Sequence, residues 1–394
     1  MRLLLISILL LMAPLANAAT HRFALVVGQN SGHDPTRVLR FAEHDARKVS
    51  RTLVQLGGFP KKQVVLLTNT SADALIRALK KLEGRIARVA QRAQDRALVV
   101  FYYSGHADAD RLELGKSTLA FSKISSFLKQ SKATVRLAWI DSCFSGRLVT
   151  AKGARPKAGF SIRVTDQLES RGYAVITSSA ADEASQESAE VRGSLFTHYL
   201  VSGLRGAADA SRDGRVTLSE TYRYVYGRTV ARTSAHVGGG QHPTYDFQLQ
   251  GRGEVVLTQL KKRSSHLVVQ SPDVGRVVVI DQRKEQMLAE ADVLAGHPAH
   301  LALPPGDYIV YLLEQGTAYR ARTRLASGAT VALTRERHFR PHALHEAVAK
   351  GGLFRPIWSS HLSAAGLVRR GPLGDQPVTF GTGLLYRLEL PSGW

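Results

Sequence analysis

A chain of 394 residues is longer than one hydrophobic core needs, so two or three domains are expected. With 44% hydrophobic and 22% charged residues, 34 Gly and 14 Pro, it is neither a collagen, nor a coiled coil, nor a mainly disordered polymer. Fifty-three Lys and Arg against 32 Asp and Glu leave a net charge of +21, which suits acidic partners or an anionic surface, while the lone cysteine, Cys143, excludes an internal disulfide and a multi-thiolate metal site.

Residues 1–18 read as an export leader. Arg2 gives a positive start, residues 3–15 are apolar apart from Ser7 and Pro14, and Ala16-Asn17-Ala18 has the small-x-small form of a cleavage site. The apolar run is short for a bilayer span, which takes about 20 residues. The mature chain is therefore expected to begin near Ala19, to carry no transmembrane segment, and to be secreted or periplasmic. A lone thiol in an oxidising compartment is either buried and inert or used for its reactivity.

From there to about residue 250 strands and helices alternate. Residues 23–28 (FALVVG), 64–68 (VVLLT), 97–103 (ALVVFYY), 135–140 (VRLAWI) and 173–178 (YAVITS) are short apolar runs without alternation, as in strands buried on both faces of a parallel sheet. Ala42, Ala46, Val49, Leu53 and Leu56 repeat at spacings of four and three, and so do Leu75, Leu79, Leu82, Ile86 and Val89. Each set gives a helix with one apolar stripe. The pattern predicts an α/β fold, a mostly parallel sheet with helices on both faces, whose site lies beyond the carboxyl ends of the strands.

Two strand ends there carry chemistry. The third strand runs into Ser104-Gly105-His106-Ala107, the fourth into Asp141-Ser142-Cys143-Phe144-Ser145-Gly146. Adjacent strands lie about 4.8 Å apart, so the imidazole of His106 and the thiol of Cys143 are expected to meet. A free thiol is only a few per cent thiolate near neutrality; a neighbouring imidazole raises that fraction and can later protonate a departing amine. Backbone N–H groups around Ala107 and Cys143 would hold the oxyanion of a tetrahedral intermediate.

The segments Tyr103-Ser104-Gly105-His106 and Asp141-Ser142-Cys143-Phe144-Ser145-Gly146 together resemble the caspase clan of cysteine peptidases, in its metacaspase and bacterial caspase-like branch. The resemblance spans residues 20–257, and Arg192-Gly193-Ser194-Leu195-Phe196 is similar to the segment that opens the small-subunit helix of caspases. It implies the caspase-like fold, a His106–Cys143 dyad without an obligatory third residue, and a polypeptide substrate. Asp141 stands where metacaspases, which cut after Arg or Lys, have Asp, and Asp45 matches a second acidic residue of their pocket. Two carboxylates would favour a basic side chain and repel an acidic one. Read without the resemblance, Asp45 is a carboxylate early in a helix and Asp141 a strand-end turn residue. Ala107 replaces a Gly common in relatives, and Ala resists positive φ. Residues 147–171, rich in Lys and Arg and broken by Gly and Pro, read as an exposed loop, either a self-processing site or a basic surface.

Further on, Asp209, Ser211, Asp213, Arg215 (through its carbonyl), Thr217 and Glu220 occupy the ligand positions of a twelve-residue calcium loop, with Gly214 at its sharp turn. The same residues also read as a turn followed by a Thr217–Glu220 helix cap. The dyad chemistry itself needs no cofactor.

The expected organisation is a leader over 1–18, a caspase-like domain over 19–260, a small β-sandwich over 264–335 and a basic, β-rich segment over 336–394. The sandwich strands are expected at 266–270, 276–281, 300–303, 308–313 and 330–333, and Leu303-Pro304-Pro305-Gly306-Asp307-Tyr308 resembles PEGA-type surface-binding modules. Such a module would tether the chain to an envelope or protein partner. A catalytically inactive caspase-fold binding protein at the envelope is the alternative function. Nucleic acid is not an expected partner, since the basic residues are dispersed without an aromatic platform.

Overall fold

The computed structural model describes residues 19–92, 94–108, 110–143, 170–180, 183–234, 240–251, 253–260 and 264–342. The leader, most of the basic loop 147–171, residues 261–263 and the segment after 342 lie outside the described residues.

The first part alternates as the apolar pattern predicts. In order come β1 (Thr20–Gly28), α1 (Ala42–Leu56), β2 (Val64–Thr68), α2 (Ala72–Ala90), β3 (Arg96–Ser104), the hairpin β4 (Arg111–Leu114) and β5 (Ser117–Ala120), α3 (Phe121–Gln130), β6 (Val135–Asp141) and β7 (Arg171–Thr177). The short pair β8 (Glu187–Ser188) and β9 (Gly193–Ser194) leads into α4 (Leu195–Ser202), followed by β10 (Arg215–Thr217), α5 (Leu218–Thr233), β11 (Thr244–Gln250) and β12 (Val256–Gln259). The central sheet has the order β11-β7-β6-β3-β1-β2. Five strands are parallel, and β11 closes one edge antiparallel to β7.

Both predicted helical stripes are the buried ones: Ala42, Ala46, Val49, Leu53 and Leu56 on α1, and Leu75, Leu79, Leu82, Ile86 and Val89 on α2. Full burial of a Leu or Ile side chain contributes about 1.5–3 kcal/mol. Ser71 caps α2, its hydroxyl accepting the Ala74 N–H at 3.3 Å. The two sheet faces have separate cores. Val26, Leu98, Val100 and Tyr102 pack with α1, α4 and α5, and Leu25, Val99, Phe101 and Tyr103 pack with α2 and α3. Consecutive residues Tyr102 and Tyr103 therefore serve opposite faces of β3.

The sandwich comprises β13 (Ser265–Gln270), β14 (Gly275–Asp281), β15 (Gln286–Val293), β16 (Ala299–Leu303), β17 (Gly306–Glu314), β18 (Thr317–Leu325), β19 (Thr330–Thr334) and β20 (Arg340–Pro341). A three-stranded sheet, β16-β13-β19, faces a five-stranded one, β15-β14-β17-β18-β20. Every sandwich strand expected from the sequence is present, together with β15, β18 and β20, which were not expected. No helix among the described residues is long and apolar enough to cross a membrane.

Candidate active site

Strands β3 and β6 are parallel neighbours, and the last residues of their ladder, Ser104 and Asp141, are directly paired. His106 and Cys143 each follow that pair by two residues, at the same edge of the sheet. The Gly105 N–H donates to the Asp141 carbonyl at 3.2 Å and ties the two exits together.

The His106 backbone is pinned from below. Its carbonyl accepts the Tyr103 hydroxyl at 2.6 Å and the Glu113 N–H at 3.0 Å. Its ring lies against Gly32 in the loop after β1, where a Cβ would come within 2.8 Å of the His106 Cδ2 and 2.4 Å of a Glu113 carboxylate oxygen. That same oxygen accepts the His33 N–H at 2.7 Å, so Glu113 fastens the loop beside the imidazole. The His106 Nε2 is buried and has no hydrogen-bond partner among the described residues.

On the other side, Ser178 and Ser179 hold the turn that presents Cys143. Their hydroxyls donate to the Ser142 carbonyl at 3.2 and 3.3 Å, and the Ser178 hydroxyl accepts the Ser142 N–H at 3.2 Å. The Cys143 thiol is free and half-buried. Burial pushes its pKa up and the Asp141 charge adds to this, while a bond from the Ser185 backbone and the charge of Arg37 oppose it. In this state the sulfur is a protonated thiol near neutrality. At the other oxyanion position, Ala107 bridges Leu112, but the bonds of that turn are made by His106, Asp108, Arg111 and Glu113, which leaves the Ala107 N–H out of them. Ala107 is not among the non-glycine residues with positive φ.

Asp45 and Asp141, read separately from the sequence, meet at one residue. The Ser194 N–H donates to Asp45 at 2.7 Å, and the Ser194 hydroxyl donates to Asp141. Asp141 also accepts the Thr197 hydroxyl at 2.5 Å and the Ser185 hydroxyl at 2.7 Å. Ser194 is the N-cap of α4, its hydroxyl accepting the Thr197 N–H at 3.1 Å, so the positive end of that helix is aimed at Asp141. Both carboxylates are enclosed, at 0% and 3% exposure. Burial pushes Asp45 up from 3.8 to about 7 and also raises Asp141, against the hydroxyl bonds from Ser194, Thr197 and Ser185.

Asp45 has a cation of its own. Lys48, one turn along α1, donates to it at 3.2 Å and to the Val191 and Arg192 carbonyls at 3.2 and 2.9 Å. Arg192 takes a left-handed φ of 47°, and Gly193 follows because a Cβ there would stand 2.4 Å from Asp45 and 2.7 Å from the Lys48 ammonium. Asp141, by contrast, is held by hydroxyls.

A family model described as the caspase domain of the C14 peptidases matches residues 21–252, more than half of the chain. This chain belongs to the caspase-domain family. The family is one of cysteine peptidases, and its substrates are polypeptides. Among solved structures, 214 chains match; one is the crystal structure of caspase-1 from Spodoptera frugiperda, at 13% identity and a TM-score of 0.44, covering 62% of this chain and 94% of that one. No curated protein sequence matches.

Away from these residues, the loop expected to take calcium carries hydrogen bonds of its own. Asp209 accepts the Gly214 N–H at 3.0 Å and Asp213 the Arg215 N–H at 2.8 Å. Glu220 accepts the Ser211 N–H and both the N–H and hydroxyl of Thr217, each at 3.0 Å, and completes a capping box at the start of α5. Among the described residues no group of three His, Cys, Asp or Glu side chains is arranged to hold a metal ion. Sequence reasoning missed Lys48, Ser185 and Thr197. The Asp45–Lys48 spacing of one helical turn was the available signal for the first; the other two are hydroxyls in segments without periodicity.

Proposed function

We propose that this caspase-domain chain is an exported cysteine endopeptidase that cleaves after Arg or Lys. The observation that carries this reading is the matched placement of His106 and Cys143 beyond the Ser104–Asp141 pair, with a buried carboxylate two residues before the sulfur. Substrate binding brings a peptide carbonyl over the thiol. Cys143 attacks it as its proton passes to His106, and the N–H groups of Cys143 and Ala107 take the oxyanion. Collapse expels the amine, which receives the proton from His106, and water then releases the acyl group with His106 as base. The unpartnered His106 Nε2 supports this role, since a proton acceptor must be free to change partners.

A basic side chain reaches Asp141 by exchanging the Ser185 hydroxyl for a bond in which donor and acceptor are both charged. An aspartate there would meet like charge. The export leader and the branch of the clan belong to this same reading.

The test is hydrolysis of arginine, lysine and aspartate reporter peptides by wild type, Cys143→Ala and His106→Ala. Cleavage after Arg and Lys by wild type alone is the expected result. Faster cleavage after Asp would reverse the specificity, and no cleavage of any peptide would favour an inactive caspase-fold binding protein.

A further inference from the structure

The five-stranded sheet of the sandwich is apolar on both faces. Along β14, Val277 and Val279 enter the sandwich's own core, while Val278 and Ile280 enter the core formed with α4 and α5. On β17 the division is Val310 and Leu312 against Tyr311 and Leu313, and on β15 Ala289 and Ala291 against Met287. A sheet with two apolar faces must be covered twice. The second face is covered by α4 and α5, so the sandwich is built into the molecule.

Polar side chains cross that second face as well: Asp292 of β15 pairs with Arg228 of α5, and Glu290 reaches α4. Glu290 of β15 is 7% exposed and bonds the His198 Nε2 at 3.1 Å. Its N–H donates to the Ser202 hydroxyl at 3.1 Å and its carbonyl accepts the Tyr224 hydroxyl at 2.9 Å, while Arg276 stands 3.7 Å from its other carboxylate oxygen. Glu290 therefore grips α4 at two points and α5 at a third. One turn further on, a Cβ on Gly206 would come within 2.5 Å of the His300 carbonyl of β16, so the chain after α4 lies directly on the sandwich.

Helix α4 is buried along all eight residues. Its Thr197 donates to Asp141 and is bonded by the Tyr102 hydroxyl at 2.6 Å; the next residue, His198, is held by Glu290. We propose that Glu290 is a positioning residue for substrate recognition: the sandwich, through the Glu290–His198 bond, holds α4 where Ser194 and Thr197 set the Asp141 carboxylate. This deepens the proposed function and rests on Asp141 receiving the basic side chain.

Glu290→Gln in the full-length chain keeps the shape and removes the charge, and Val278→Ala is the control that loosens the same face without touching His198. Hydrogen exchange at the Thr197 N–H, which Ser194 accepts, is expected to quicken at least tenfold in Glu290→Gln beyond any change in Val278→Ala. In peptide assays the same variant raises KM for arginine substrates about tenfold with a smaller change in kcat, while iodoacetamide alkylates Cys143 at the wild-type rate. Thr197 exchange equal in the two variants, or a KM change that merely follows lost stability in both, overturns the proposal. Should wild type hydrolyse no basic substrate, the proposed function fails, and the exchange measurement still decides whether Glu290 holds α4.

Discussion

Replacing Lys48 with Met tests the electrostatics around Asp45 directly. The Asp45 carboxyl is pushed up from 3.8 to about 7, chiefly by burial, with Lys48 opposing the rise. Because the folded value is the higher one, the stability linked to this group is fully present below 3.8 and is lost as pH rises through about 7. Keeping a carboxyl protonated above its ordinary value costs about 1.4 kcal/mol per pH unit. At about pH 5 Asp45 is protonated with or without Lys48, the penalty of about 1.6 kcal/mol is common to both chains, and Met packs in place of the lysine stem. At about pH 8.5 the native carboxyl has ionised against Lys48 and its penalty has levelled at about 4 kcal/mol, whereas removal of the cation moves that levelling to higher pH, toward a limit of about 6 for a carboxyl kept protonated. The destabilisation by Lys48→Met should therefore be small at the lower pH and larger, by up to about 2 kcal/mol, at the higher one. Urea unfolding of both chains at the two pH values reads it. A difference that does not change with pH would show that Lys48 does not set the charge on Asp45.

Two further outcomes bear on the proposed catalytic pair. Gly32→Ala places a Cβ within 2.8 Å of the His106 ring, and a displacement of about 1 Å at a reacting group costs on the order of 100-fold in kcat/KM; activity within threefold of wild type would show that the ring does not depend on Gly32. Since burial raises the Cys143 thiol above its ordinary 9.0, alkylation by iodoacetamide without substrate should still be accelerating above about pH 9, and Arg37→Ala should slow it by removing a charge that favours the thiolate. An alkylation rate that is already level at neutral pH would mean that the resting enzyme holds a thiolate–imidazolium pair.

The strands and helices that were legible are those with a single kind of environment. Strand β3 is buried along eight of its nine residues and reads as an unbroken apolar run; α2 has one apolar stripe and reads at helical spacing. Strand β11 was missed by the same criterion, because Tyr245, Phe247 and Leu249 alternate with polar residues, the pattern of an edge covered on one face. Strand β18 alternates over its second half, with Ala321 and Leu325 buried between Arg320, Arg322 and Arg324, and its charge hid it. In the site, His106, Cys143, Asp45 and Asp141 were visible because each belongs to a motif at a strand or helix end. What closes the pocket was not: Ser185 and Thr197 act through hydroxyls brought from chain segments 44 and 56 residues beyond Asp141, and no local pattern encodes that meeting.

Helix α4 shows why the two halves of the molecule were harder to connect than to find. A helix against one core carries a stripe, but Leu195, Phe196, Tyr199, Leu200 and Val201 surround α4 with apolar side chains, and its polar residues are buried as well. Thr197 and His198 are adjacent in sequence and about 100° apart around the axis, so they point to different partners, one to Asp141 and one to Glu290. A buried polar group without its partner costs about 1–3 kcal/mol, and more when charged, so neither bond can be dropped without consequence for the other. A helix constrained on both sides in this way transmits displacement instead of absorbing it. On the proposed function, a change at the His198–Glu290 contact should therefore register first as altered recognition of substrate, with the Cys143 turn, held separately by Ser178 and Ser179, left in place.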